Sequence, residues 1–109
     1  MEELSIWLND QNGGMRTYLE FQQKVSILSK RDPSNKALYA LMGLVAQRFY
    51  QAYDGEPLPV DAAQEALARL RTVVADATGV MKSDAQEQLR LLNELAGLEL
   101  GVRRINSIQ

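Results

Sequence analysis

Residues 37–53 carry apolar side chains on two helical faces at once, and this constrains the chain more than any other feature of its sequence. One face reads Leu38, Leu41, Met42, Val45, Phe49 and Ala52. The other reads Tyr39, Gly43, Ala46, Tyr50 and Tyr53, spaced four, three, four and three. Spacings of three and four put side chains on one side of a helix. A helix that is apolar on both sides has to be covered on both sides, as the centre of a bundle or against a partner.

The rest of the chain supplies helices to do the covering. Tyr18, Phe21, Val25 and Leu28 make one stripe over residues 14–30, widened by Met15 and Leu19. Ala63, Ala66, Leu67, Leu70, Val73, Val74 and Ala77 make another over 60–78. Leu91, Leu95, Leu98, Val102 and Ile105 make a third from Ser83 onward, with Ala85, Leu89, Leu92 and Ala96 beside it. Leu4, Trp7 and Leu8 read as a short first helix, expected to pack across one end of the others. No segment alternates with period two, so no strand is expected.

The breaks between these stripes have their own chemistry. Asn12-Gly13-Gly14 reads as a turn or hinge, because glycine adopts backbone angles that other residues avoid. Asp32 precedes Pro33 and is expected to cap the next helix. Asp54-Gly55-Glu56-Pro57-Leu58-Pro59 reads as a helix stop, a corner and a restart. Asp61 with Gln64, and Ser83 with Gln86, have the spacing of a capping box. Gly79 is expected to end the 60–78 helix. Gly97 and Gly101 have a close-packing spacing, which in a water-exposed helix reads as weakened last turns.

The expected fold is therefore all-α: an antiparallel bundle of about four helices with a short N-terminal helical segment. The expected organisation is a single domain over 1–109, in which 1–14 form the N-terminal segment and its Gly-Gly hinge. A chain of 109 residues is long enough to bury one core without disulfides.

Composition narrows the function. There is no cysteine and no histidine, so thiol chemistry, the usual neutral-pH base and the commonest transition-metal ligand are all missing. The carboxylate pairs Asp61/Glu65 and Asp84/Glu87 lie in first turns, where they stabilise the helix dipole. No Gly-rich phosphate loop occurs. The expectation is a non-enzyme with no cofactor and no metal. The start MEELSIWLND does not read as a signal peptide. The longest apolar run, 37–46, is about half of what a bilayer crossing needs. A cytoplasmic protein without a membrane partner is expected.

Charge is unevenly spread. Residues 15–53 hold six basic side chains against two acidic ones, while 54–109 hold nine acidic against six basic. The favoured reading is an interaction module, an adaptor, assembly factor or chaperone-like accessory protein that self-associates as a homodimer. Tyr39, Gly43, Tyr50 and Tyr53 would form its aromatic ledge, since tyrosine buries area and keeps a polar tip. Lys24, Lys30, Arg31 and Lys36 would steer an acidic protein partner. The alternative is a regulatory protein that binds nucleic acid through the positive segment 15–53, with aromatics stacking on bases.

Overall fold

The computed structural model describes residues 1–100, and these form five α-helices with no strand. They are α1 (Glu2–Asn9), α2 (Met15–Arg31), α3 (Lys36–Ala52), α4 (Val60–Val80) and α5 (Ala85–Gly97), with a 3-10 turn at Pro33–Asn35 between α2 and α3. The all-α bundle expected from the stripes is what the chain adopts. Gly101, Val102 and Ile105, read above as part of the last helix, lie outside the described residues, as do Arg103 and Arg104.

The helix apolar on two faces takes the central place. α3 packs along α2 on one side and meets α4 and α5 on the other. Tyr18 lies against Phe49, Val25 against Gly43 and Asp32 against Tyr39, so α2 and α3 run in opposite directions. A Cβ on Gly43 would sit 3.2 Å from Val25 Cγ2, which is why a glycine stands where the two helices approach. Leu38, Met42, Val45 and Phe49 are buried with Leu67, Leu70, Val74, Leu91 and Leu95 in one apolar cluster. Each such side chain contributes about 1.5–3 kcal/mol by leaving water.

α1 belongs to the same cluster through Leu4 and Leu8, both buried. Gly13 returns the chain from α1 to α2 with φ +84°, and a Cβ there would lie 3.1 Å from the Ala63 carbonyl oxygen. Any other residue would be strained at this position both by backbone angle and by contact. Arg71 of α4 fixes the same corner. Its Nη2 donates to the carbonyl oxygens of Leu8 (3.5 Å), Asn9 (3.2 Å) and Gln11 (3.1 Å). The expected hinge is thus tied to α4.

Several local expectations need correction. Asp32 stands at the N-cap of the 3-10 turn, but its carboxylate takes no backbone amide; it accepts instead from Ser34 Oγ (2.8 Å), Asn35 Nδ2 (2.8 Å) and Tyr39 Oη (3.0 Å). α4 begins after Pro59, so Asp61 lies inside it and accepts from the Ala62 amide rather than forming a box with Gln64. α4 also runs past Gly79, because a glycine costs a helix only about 1 kcal/mol when the turn beyond it finds partners; here the Met81 amide reaches Ala77 and Ser83 reaches Val80. The cap of α5 is Asp84, one residue beyond Ser83, accepting from the Glu87 amide at 2.9 Å. On α5 the stripe of Leu91 and Leu95 is buried, whereas Leu89 of the adjoining stripe is exposed.

Candidate functional site

The stripe read as an aromatic ledge faces α2. Tyr39 and Ala46 are buried, at 2% and 0% exposure, so Tyr39 does not stand on the surface as the ledge required. The reason is the tight α2–α3 pairing, which uses the small residues of this stripe to bring the helices together. Gly43, Tyr50 and Tyr53 remain half-buried. Phe49 connects the aromatic groups, with its ring 4.6 Å from Tyr18 and 5.1 Å from Tyr53 between centroids, tilted in both pairs.

Tyr39 has a structural task that the sequence reading missed. Its hydroxyl donates to Asp32, two helical turns away, and completes a ring of donors around that carboxylate. Hydrogen bonds from Asn35 and Ser34, with a smaller one from Tyr39, hold the Asp32 carboxyl below its ordinary range. Burial, then the Asp32 carboxylate, push the Tyr39 phenol up to about 12. Tyr18 is also pushed up to about 12 by burial, partly offset by Arg71, yet its hydroxyl finds no partner among the described residues.

These two phenols give a prediction. A group whose folded pKa lies above its unfolded value of about 10 contributes stability in full below that value and loses it as pH rises toward the folded pKa. Stability should therefore fall between about pH 10 and the folded values near 12. Near neutral pH, Tyr39→Phe should lower the thermal midpoint by ~5 °C, the effect of one lost hydrogen bond in a chain of this size. Tyr18→Phe should leave the midpoint unchanged or raise it, because its hydroxyl is already unpaired. Thermal unfolding at neutral pH, with tyrosinate absorbance followed through an alkaline titration, checks both.

α2 and α3 leave a shallow groove of about 470 Å³ that shares Tyr39 and Gly43 with the ledge. Gln22, Ser26 and Ser29 of α2 and Ala40, Leu44 and Gln47 of α3 form its walls, over Val25, Tyr39, Leu41 and Gly43. None of these ten residues is charged, in a chain where 24% of residues are. Charged side chains concentrate on protein surfaces, so an uncharged two-helix face is an unusual region.

The basic residues separate into two groups. Lys30 and Lys36 are exposed around the α2–α3 turn. Lys24 instead reaches over the Trp7 ring, 5.0 Å from its centroid, and lines a recess of about 180 Å³ with Arg31, Glu3, Leu4, Ile27 and Leu28 where α1 meets α2. Arg48 donates to the Ala96 carbonyl at 3.0 Å and so closes the end of α5. Arg69 holds the Leu100 carbonyl at 2.9 Å in the same way. The aromatics expected to stack on bases are mostly inside: Tyr18, Phe21, Tyr39 and Phe49 are all buried.

Among the described residues no cluster of three or more carboxylate, cysteine or histidine side chains could hold a metal. No described helix is long and apolar enough to cross a membrane. Comparisons with family models, with curated proteins and with solved structures find no match.

Proposed function

We propose that this chain is a non-catalytic interaction module that pairs with a second copy of itself through the uncharged face of α2 and α3. The observation that carries this reading is the absence of charge across the groove walls. A two-fold interface sets one patch against its own copy. A charged patch would then meet its own sign, at a cost in desolvation and repulsion, whereas a neutral patch does not. Half-buried Leu41 and Leu44 would supply apolar contact, and the serines and glutamines would supply hydrogen bonds at the rim. Lys30 and Lys36, exposed at the α2–α3 turn, would steer an acidic partner to the assembled pair.

Ala40 and Gln47 are exposed positions of α3, so a carboxylate at each is tolerated by the fold. Light scattering over a range of concentrations should give twice the monomer mass for the natural chain. Ala40→Glu with Gln47→Glu should return it to the monomer mass with unchanged helical circular dichroism. A natural chain that stays monomeric up to about 1 mM, a concentration at which even weak pairs form, would overturn the reading. Nucleic-acid binding through 15–53 would instead appear as affinity that collapses as salt rises.

A further inference from the structure

The second helical pair, α4 with α5, is built differently from the first. It leaves a cleft of about 420 Å³ whose floor is apolar: Val73 of α4, Leu91 and Leu95 of α5, and Leu98 just beyond it. Leu91 and Leu95, one turn apart on α5, are buried beneath it, and Leu98, where the chain leaves α5 in extended conformation, is half-buried at its end. The rim is acidic. Glu65 and Asp76 stand on the α4 side and Glu94 on the α5 side, against one basic residue, Arg69.

The state of these rim charges matters. Arg69 is already committed to Glu65 at 2.6 Å and to the Leu100 carbonyl. Glu94 pairs with the exposed Arg90. Asp76 is exposed on the rim and makes no side-chain hydrogen bond or salt bridge among the described residues, although its charge acts on Arg90 as well. An apolar floor between carboxylates has a definite complement: a helix with apolar residues along one side and lysine or arginine flanking them. A groove between two helices accepts such a helix as a third member of the bundle.

We propose that the α4–α5 cleft is a docking site for a basic amphipathic helix of a partner protein. A second copy of this chain is a poor occupant, because two copies of the cleft would face carboxylates to carboxylates. The site is separate from the uncharged α2–α3 face, so a self-paired molecule would present two such clefts and act as a bivalent adaptor.

The test uses the full chain labelled with nitrogen-15 and a synthetic helical peptide of leucine and lysine, with the leucine–glutamate peptide of the same pattern as control. The lysine peptide should shift the amides of Val73, Leu91, Leu95 and Leu98. The glutamate peptide should not. Asp76→Lys with Glu94→Lys, both at exposed positions, should weaken binding about tenfold or more while circular dichroism stays unchanged. Three results would overturn the proposal: no shift at about 1 mM peptide, equal binding of both peptides, or shifts centred on another face. A fourth is a change at the cleft amides, without peptide, on Arg103→Glu with Arg104→Glu, since the chain's own basic segment would then be the occupant. Light scattering on the same samples reads self-association separately, so either idea can fail alone.

Discussion

Replacing Phe49 by alanine should remove about 3–5 kcal/mol of stability, the range seen when a buried aromatic ring is truncated in a core that cannot collapse around the void. Phe49 is 3% exposed and lies between Tyr18 and Tyr53. Tilted aromatic pairs at such separations contribute about 0.5–1.5 kcal/mol beyond area burial, which places this site toward the upper part of the range. A small domain has only about 5–15 kcal/mol in total, so the variant should begin to unfold at far lower urea than the natural chain. The expected observation is a lower urea midpoint with an unchanged slope. Phe49→Leu, which keeps most of the volume, should lose less than half as much. A loss below about 1 kcal/mol for Phe49→Ala would mean that the α2–α3 pair does not close over this ring as described.

That ring also shows how much of the structure was legible in the sequence. Spacing alone put Phe49 on an inward stripe, and it put Leu70, Val74, Leu91 and Leu95 there as well; all are buried. The centrality of α3 followed from its having two apolar faces. What spacing could not decide was which neighbour covers each face, because a stripe of tyrosine, glycine and alanine suits a helix of the same chain as well as a partner. Contact between Gly43 and Val25 decides it, and Tyr39 goes inside with the rest of that pairing. The carboxylate that accepts its hydroxyl could have served as a clue, since Asp32 and Tyr39 are seven apart across a predicted turn.

The candidate surfaces were less legible, for a physical reason. An interaction face is defined by what several helices place side by side, and neither groove comes from one continuous stretch. The uncharged face combines residues 22–29 with 39–47, and the acidic cleft combines 65–76 with 91–98. Counting charge along the chain found the positive half and the acidic half. It did not show that Arg48 donates to the Ala96 carbonyl in the last turn of α5, or that Arg69 reaches the Leu100 carbonyl beyond it. Caps of this kind are set by tertiary approach, so local patterns such as Asp61 with Gln64 misplace them.

Arg71 is the strongest case, and its loss should have the second large effect. It interrupts the inner stripe of α4, between Leu67, Leu70 and Val74, where a charge is costly unless it is paired. Its guanidinium meets the carbonyl end of α1, the negative pole of that helix, and gathers three carbonyl oxygens from α1 and the turn after it. Hydrogen bonds from a charged donor contribute about 1.5–3 kcal/mol, so Arg71→Ala should cost about 2–4 kcal/mol once the carbonyls left behind are counted. Lysine should restore this only in part, because all three carbonyls meet the single Nη2 at the far end of the guanidinium, and the lysine stem ends short of that point. The loss should also be local before it is global. Hydrogen exchange at the amides of 5–11 should become fast in Arg71→Ala while α2 and α3 keep their protection, and Trp7 fluorescence should shift toward that of a solvated indole. If the protection of 5–11 instead survives the substitution, burial of Leu4 and Leu8 alone holds α1 in place, and Arg71 only fills the space beside it.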